Sequence, residues 1–440
     1  MAFGLCSAAA LAGPMTDPRA LTLELLDDVL GAVAPEGARV RLWDGTTWPD
    51  ASPGFATVVL RHPGALRRMF LPATQLRLAR AYLRDDFDVE GDFERLLETA
   101  MRAGGALDAP ALRAKVALRL AQLPRAPLAQ RVVPQRAKLR GRRHSIERDR
   151  EAIRYHYDVS NEFYRLFLGE RMVYSCAYFE RPEATLDEAQ AAKLDLVCRK
   201  LRLKPGQRFL DVGCGWGGLA LHAAQKYGVE ATGITLSERQ AQEARERAAK
   251  AGLEDRVRIL VKDYRELEDE QGFDAIASVG MFEHVGAAML PAYFAQAWSL
   301  LKPRGAFLNH GIASVGGTFG KDARSFIDAY VFPDGELVPI ERTIAAAAGA
   351  GFEVRDVESL REHYAITLRH WVRNLEREHA AALHHVDEPT YRVWRLYMAS
   401  CAGSFAAGRI NVYQTLLSKP DERGASGLPM TREDWYGSPG

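Results

Sequence analysis

The 440-residue chain has no long apolar segment and few cysteines. Arg, Lys, Asp or Glu interrupts every apolar run before it reaches about 18 residues, which excludes a membrane-spanning helix and leaves only peripheral membrane contact. The five cysteines form no C-x-x-C pair and no Cys/His cluster at zinc spacing. We therefore expect reduced thiols, no metal site and a cytoplasmic location. The apolar residues 1–13 lack a basic flank, so they are a weak secretion signal at best, and the protein could start at Met1 or Met15.

Composition and length indicate an ordinary globular protein with two domains. Hydrophobic residues make up 47% of the chain and charged residues 26%, which excludes disordered, collagen-like and disulfide-rich classes. The length also exceeds the usual size of one domain. We expect a tail at 1–15, a small mixed α+β domain at 16–105, a linker at 106–145, a large α/β domain at 146–425 and a tail at 426–440.

Positive charge is concentrated in one segment, although the net charge of the chain is only +1. Residues 113–150 contain twelve basic and two acidic residues, and four prolines break the helical pattern of the linker. One interpretation is attraction to an anionic bilayer surface, where each basic residue adds on the order of 1 kcal/mol. The other is a solvated face, or a segment that docks onto the acidic remainder of the chain. The segment lacks the interleaved aromatic residues that stack on bases, so we expect no nucleic acid partner.

From about residue 150 the sequence alternates between short apolar strands and helices. The pattern predicts strands at 207–212, 230–235, 257–261, 273–279 and 306–312, with helices at 219–226, 238–250 and 291–300. Such β-α repetition is typical of a doubly wound, mostly parallel sheet.

A glycine-rich loop follows the first of these strands. The segment FLDVGCGWGG spans residues 209–218, and its glycines at 213, 215 and 217 let the backbone pass close to a ligand. A dinucleotide site and a purely structural turn are the alternatives. A dinucleotide site is disfavoured because Asp211 precedes the first glycine, and because the second strand ends at Thr235 rather than at an acidic residue. The loop resembles motif I of the class I S-adenosylmethionine-dependent methyltransferases, whose fold is Rossmann-like.

This resemblance implies S-adenosylmethionine as the cofactor, with its methionine and ribose portions held by the glycine loop. The pair at 263–264 resembles the residues that meet the adenine in this fold. The implied cofactor-binding residues are Tyr174, Ser175, Asp211, Gly213, Gly215, Gly217, Thr235, Leu236, Gln240, Asp263, Tyr264 and Phe282.

Six further segments resemble the cyclopropane-fatty-acyl-phospholipid synthases. They are HYDVSNEFY at 156–164, YSCAY at 174–178, VGMFEHVG at 279–286, NHGI at 309–312, YVFPDG at 330–335 and AGSF at 402–405. The resemblance covers about residues 146–418, and the N-terminal domain is similar to the lipid-binding-like extension of the long members. It implies a homodimer at the inner face of the membrane that acts on unsaturated phospholipids. One departure is Gly311, where relatives more often carry Thr.

The implied reaction requires a site that aligns the reactants, excludes water and supplies a base. A cis alkene is a poor nucleophile, so the methyl donor must be aligned with it in a dry pocket. Methyl transfer leaves a carbocation, and a base must then remove a proton so that the ring can close. In this family the base is understood to be a bound bicarbonate, and the resemblance assigns its site to Cys176, Glu283, His310, the backbone of Ile312, and Tyr364. We expect Glu283 to be protonated or to orient its neighbours, because two negative charges in a dry pocket repel.

Several alternatives remain open. Taken singly, Cys176, Glu283, His310 and Tyr364 are ordinary buried or capping residues, and Cys401 is a second candidate catalytic cysteine with no evident base. Aromatic faces can stabilise a cation, and the available side chains are those of Tyr155, Tyr157, Tyr178, Phe179 and Phe282. We expect residues 151–201 and 311–341 to form the walls of the acyl pocket. The product could also be a methylene- or methyl-branched chain, and a non-catalytic lipid-binding protein is an alternative of another class.

Overall fold

A computed structural model describes residues 17–30, 37–49, 54–103, 110–127, 131–136, 139–157, 159–316 and 325–436. It divides the chain into two compact units, Met1–Val133 and Pro134–Gly440, so the boundary falls inside the segment predicted as a linker. The predicted tail at 1–15 and residues 317–324 of the predicted pocket wall lie outside the described ranges.

The first unit is the predicted mixed α+β domain. Its helices are α1 (Pro18–Leu30), α2 (Ala65–Phe70), α3 (Gln75–Leu83), α4 (Phe93–Ala103) and α5 (Pro110–Gln122), and its strands are β1 (Ala38–Arg41), β2 (Thr47–Trp48), β3 (Ala56–Leu60) and β4 (Phe87–Gly91). The strands form one sheet in the order β2-β1-β3-β4, in which β1 and β3 are parallel. Helix α5 starts at a proline, which is tolerated in the first helical turn.

Many basic side chains of residues 113–150 pair with acidic groups of their own unit. In the first unit, Lys115 and Arg119 on α5 reach Asp28 on α1, and Arg131 lies 3.4 Å from Asp85. In the second unit, Arg136 pairs with Asp328, and both Arg143 and Arg148 approach Asp334. At least six of the twelve basic residues are therefore engaged within their own unit, which agrees with the docking interpretation of this segment.

The second unit is built around a seven-stranded sheet. Its strands are β5 (Arg208–Val212), β6 (Glu230–Thr235), β7 (Val257–Val261), β8 (Phe273–Val279), β9 (Leu301–Ser314), β10 (Glu353–Ser359) and β11 (Ile410–Ser418). Its helices are α6 (Ile146–Tyr157), α7 (Asn161–Leu168), α8 (Leu186–Leu201), α9 (Gly218–Tyr227), α10 (Glu238–Lys250), α11 (Leu290–Leu300), α12 (Phe326–Tyr330), α13 (Ile340–Gly349), α14 (Arg361–Arg377), α15 (His379–Ala382), α16 (Glu388–Ala406) and α17 (Glu433–Tyr436).

The strand order β10-β11-β9-β8-β5-β6-β7 confirms the predicted doubly wound sheet. Strands β5 to β9 pair in parallel, whereas β11 is antiparallel to both β9 and β10. Neighbouring residues point to opposite faces, so Phe209 and Leu210 of β5 enter different buried clusters. The carboxyl ends of the parallel strands meet at one edge, which is where ligands bind in such sheets.

Strand β9 is longer than predicted, because it continues beyond the parallel sheet to pair with β11. This pairing places His310 opposite Gln414 and Ile312 opposite Val412. Within the ranges that the structure describes, no helix is both long and apolar enough to cross a membrane.

Candidate active site

A cavity lies at the carboxyl ends of strands β5 to β8. Seven of the predicted cofactor residues line it: Gly213, Gly215, Thr235, Leu236, Gln240, Asp263 and Tyr264. The glycine loop reaches the cavity because three of its glycines have positive φ, at +79° for Gly213, +54° for Gly215 and +79° for Gly217. A Cβ at Gly213 would stand 2.7 Å from the Cβ of Met281, which also lines the cavity. A side chain at this position would therefore both strain the loop and fill the space.

The opposite wall of the cavity comes from α6, which the sequence did not predict. Asp149, Ile153 and Tyr157 of this helix line the cavity. Arg265 connects the helix to the sheet edge, because its guanidinium donates to both carboxylate oxygens of Asp263 at 2.7 Å and to Asp149 at 2.9 Å. The carboxylate of Asp263 thus has a fixed orientation at the end of β7.

Polar groups at the second strand end are also ordered. The hydroxyl of Thr235 donates to Oε1 of Gln240 at 2.8 Å, and Ser237 caps α10 by accepting from the Gln240 N–H. This arrangement fixes the Gln240 side chain against the cavity, where a ligand hydroxyl would meet its amide group.

Five predicted cofactor residues lie next to the cavity rather than in its wall: Tyr174, Ser175, Asp211, Gly217 and Phe282. Asp211 is buried near the end of β5, and its Oδ2 has no hydrogen-bond partner among the described residues. Ser175 is held from α8, since its hydroxyl accepts from Lys193 at 2.8 Å and its carbonyl from Gln190 at 2.9 Å. Gly217 is the N-cap of α9 and faces Ala244.

Phe282 begins a short 3-10 helix and packs tightly on strand β9. A Cβ at Gly311 would lie 2.8 Å from a ring carbon of Phe282. Gly311, the departure noted in the sequence, therefore leaves room for this ring to contact the strand.

We group Cys176, Glu283, His310 and Tyr364 as the polar cluster, because Tyr364 interacts electrostatically with Glu283 and Cys176, and His310 lies two residues before Ile312 on β9. The backbone N–H of Ile312 donates to Oε1 of Glu283 at 2.7 Å, whereas Oε2 is buried and has no hydrogen-bond partner among the described residues. Burial raises the pKa of Glu283 to about 7. The carboxyl group is therefore poised between its neutral and charged forms near neutral pH.

His310 and Tyr364 are neutral members of the polar cluster. Burial lowers the pKa of His310 well below its usual value, and Lys193 and Lys200 add to this shift. Its Nδ1 lies 3.2 Å from Nε2 of Gln414, and its Nε2 is buried with no hydrogen-bond partner in the described part of the chain. Burial also raises the pKa of Tyr364 well above the usual value, with further contributions from nearby Glu283 and Cys176.

The two candidate cysteines are buried thiols rather than thiolates. Burial raises the pKa of Cys176, and its thiol donates to the carbonyl of Ala177 at 3.2 Å and that of Leu360 at 3.7 Å. Burial raises the pKa of Cys401 to about 12. Neither thiol is therefore activated as a nucleophile in this structure.

A group of aromatic side chains packs together beside Tyr364 of the polar cluster, and this packed group is here called the aromatic chamber. Its members are His156, Tyr157, Tyr174, Phe332, Trp371, Trp394 and Tyr397. The ring of Trp371 contacts both Tyr174, with centroids 5.3 Å apart, and Tyr364, at 6.0 Å. The chamber and the polar cluster are therefore continuous.

His156 lies within the aromatic chamber as a neutral imidazole. Burial lowers its pKa to about 3, and its Nδ1 donates to the carbonyl of Val331 at 2.9 Å. Its ring stacks on Phe332 with centroids 3.9 Å apart. His156 is thus fixed as part of the chamber wall.

Only part of the predicted aromatic set lies in the chamber. Tyr157 does, but Tyr155 instead donates to the carbonyl of Gln135, because adjacent positions on a helix face different directions. Tyr178 stacks on His363, and Phe179 on His370, along the outer side of α14. Tyr155, Tyr178 and Phe179 therefore lie outside the aromatic chamber.

Comparison with known proteins connects these features to a family. A model of the family described as mycolic acid cyclopropane synthetase matches residues 144–415. A probable fatty acid methyltransferase of Pseudomonas putida is 42% identical over 401 residues, which cover 90% of this chain and 96% of that protein. The cyclopropane-fatty-acyl-phospholipid synthase of Escherichia coli strain K12 is 40% identical over 269 residues, covering 61% of this chain and 68% of that protein.

A solved structure agrees with the sequence relatives. Mycolic acid cyclopropane synthase CmaA1, complexed with SAH and CTAB, has a TM-score of 0.58 and 36% identity, and the match covers 61% of this chain and 97% of CmaA1. The predicted class I fold and the predicted family are thereby confirmed. The chain belongs to the mycolic acid cyclopropane synthetase family and is an S-adenosylmethionine-dependent methyltransferase.

Proposed function

We propose that the protein adds a methylene bridge from S-adenosylmethionine to the cis double bond of an unsaturated phospholipid acyl chain, with bicarbonate as the base. The observation that carries this proposal is the polar cluster beside the aromatic chamber. Two buried polar atoms, Oε2 of Glu283 and Nε2 of His310, have no partner there. Buried polar atoms are normally hydrogen-bonded, so this pair suits a small polar ligand.

The cofactor cavity fits S-adenosylmethionine, which supplies an electrophilic methyl group when bound. The positive-φ glycines 213 and 215 leave the backbone open to the ligand, and Gln240 and Asp263 offer ordered polar groups at two strand ends. Oδ2 of buried Asp211, next to the loop, also has no partner. The residues present therefore fit the cofactor.

The aromatic chamber would exclude water from the reacting carbon and present ring faces to positive charge. Trp371, Trp394 and Tyr174 form a continuous wall, with Trp394 and Tyr174 centroids 6.0 Å apart. CmaA1 was solved with CTAB, an alkyl-chain detergent, which supports an apolar binding site in that relative. An acyl chain is the substrate that best matches such a wall.

The polar cluster fits bicarbonate, which would supply the base. Glu283 is fixed by the Ile312 N–H, so its second oxygen has a defined direction. With a pKa near 7, its carboxyl group can hold a proton and donate to an anion rather than repel it. The Cys176 thiol already donates to backbone carbonyls, so we assign it to the wall of the site.

We further propose that the protein acts as a homodimer bound peripherally to the inner face of the membrane. The printed name of the Escherichia coli relative supports a phospholipid substrate. Exposed apolar side chains on the first unit, Leu118 and Val132, would suit a lipid surface, because they are 69% and 86% exposed. The basic segment supports it less, since at least six of its basic residues are paired internally.

A second candidate product is a methylene- or methyl-branched acyl chain. The relative that matches 90% of this chain carries the name probable fatty acid methyltransferase, whereas the cyclopropane synthase matches 61%. Both products share the methyl transfer. The methylene branch forms when a hydride shift moves the cation before the proton is lost, and the methyl branch requires a later reduction of that alkene by a separate hydride donor.

One experiment separates these products. Purified protein is incubated with S-adenosylmethionine, bicarbonate and oleoyl phospholipid vesicles, and the lipids are analysed by mass spectrometry with ozonolysis. We expect a product of increased mass that resists ozonolysis, as a cyclopropane does. An ozonolysis-sensitive product of equal mass would instead identify the methylene-branched chain, and an unmodified lipid would contradict both.

A further inference from the structure

Helix α8 carries a buried lysine that the reaction scheme has not used. Lys193 is 1% exposed, and within the described part of the chain its ammonium group makes a single hydrogen bond, to Oγ of Ser175 at 2.8 Å. Burying a charge is costly unless the charge is compensated. The burial of an ammonium group with one neutral hydrogen-bond partner therefore requires an explanation.

A second buried lysine on the same helix shows how such a charge is normally compensated. Lys200 pairs with Glu358 and lies 3.8 Å from Asp356. Among the described residues, no carboxylate lies within 4.0 Å of the Lys193 nitrogen, and Asp211 acts on it only through the longer-range field. Asp211 compensates the charge of Lys193 only in part, so a positive field from Lys193 remains inside the unit.

That field falls on the polar cluster. Lys193 interacts electrostatically with Cys176, which follows Ser175 in the chain, and with His310. The cluster itself has no cation, because His310 is held neutral and the other three side chains are acids or neutral groups. An anion in a dry pocket needs a positive charge nearby.

We propose that Lys193 supplies the positive charge that retains an anion in the polar cluster, acting through the field across Ser175 and Cys176 rather than by contact. This inference rests on the proposed function, which places bicarbonate in the cluster. Lys193 is thus a positioning residue for the base and not a catalytic residue. Burial lowers its pKa only to about 8, so it still carries its charge at neutral pH.

The variant that tests this inference is Lys193→Met, which keeps the length of the side chain and removes the charge. Lys193→Arg restores the charge, and Lys302→Met removes the charge of a lysine in the same unit that is paired with Asp274 at 2.9 Å. Bicarbonate binding is measured by line broadening of carbon-13-labelled bicarbonate in NMR titrations of the full chain. Binding of S-adenosylhomocysteine is measured by calorimetry, and folding by circular dichroism.

We expect the bicarbonate concentration at half-saturation to rise on the order of tenfold in Lys193→Met, from the loss of one unit charge at short range. It should stay within twofold of wild type in Lys193→Arg and Lys302→Met. The affinity for S-adenosylhomocysteine should change less than twofold in all three variants.

Two results would overturn the inference while leaving the proposed function intact. One is unchanged bicarbonate binding in Lys193→Met. The other is an equal loss of S-adenosylhomocysteine affinity, which would assign the charge to the cofactor. If wild-type protein itself does not bind bicarbonate, the base of the proposed function fails and this inference fails with it. An unfolded Lys193→Met variant would also contradict it, because removal of a buried charge that is compensated only in part should not destabilise the fold.

Discussion

Replacing Glu283 with Gln should make the protein more stable while it removes activity. The amide oxygen of Gln can still accept from the Ile312 N–H, which lies 2.7 Å from Oε1 in the native protein. The buried charge, however, is lost. The buried carboxyl group suits a polar ligand, but it lowers the stability of the unliganded protein.

The magnitude follows from the pKa of Glu283, which burial raises from 4.5 to about 7. The Glu283 carboxyl group then ionises at a lower pH in the unfolded chain than in the folded protein. The free energy of unfolding therefore falls as the pH rises from 4.5 to about 7, and it stays lowered above pH 7. The full loss is roughly 3 kcal/mol at about 1.4 kcal/mol per pKa unit. The stability advantage of Glu283→Gln should therefore grow by roughly 2 kcal/mol from about pH 5 to about pH 8.

The assay is chemical denaturation of both proteins at the two pH values without bicarbonate. Glu254→Gln is a matched control, because Glu254 is an exposed carboxylate of the same unit. The prediction would be refuted if Glu283→Gln and the native protein differed equally in their free energies of unfolding at both pH values. It would also be refuted if Glu283→Gln were less stable than the native protein at the higher pH. In parallel, turnover should fall on the order of a hundredfold or more with unchanged S-adenosylhomocysteine affinity.

The other predictions concern the cofactor cavity and the chamber. Gly213→Ala places a Cβ 2.7 Å from Met281 at φ +79°, so calorimetry should show at least about tenfold weaker S-adenosylhomocysteine binding; native affinity would contradict the close approach. Arg265→Leu leaves Asp263, 2% exposed, without its partner and should destabilise the protein by about 3–5 kcal/mol in urea, whereas a neutral effect would show that the pair is dispensable. His156→Phe leaves the Val331 carbonyl unpaired and should cost about 1–3 kcal/mol; an unchanged melting temperature would speak against this bond.

The sequence predicted those parts of the site that local patterns encode. The glycine loop follows β5, Asp263 follows β7 and Glu283 follows β8, and parallel strands bring such ends to one edge of the sheet. His310 lies in β9 opposite the last residue of β8. The strand and helix periods therefore predicted the strands that carry these residues, whereas their roles in the site were implied by the family resemblance.

The missing parts depend on packing between distant elements. Trp371 and Trp394 belong to α14 and α16, and their patterns are those of any buried helix face. The bond between Arg265 and Asp149 joins residues 116 positions apart, which no local signal records. Tyr155 lies outside the chamber although it is close to a motif in the sequence, because the turn of the helix decides which way its side chain points.

Gly311 controls how far the short helix that carries Glu283 stands from the sheet. Its single hydrogen lets the Phe282 ring rest on β9, and Glu283 is the next residue along the chain. Any larger side chain at position 311 would move Phe282 and Glu283 away from β9 together. This shift would change the width of the ligand site without replacing a residue that takes part in the reaction. The residue at position 311 thus sets this distance, so one substitution there could alter the ligand site during evolution.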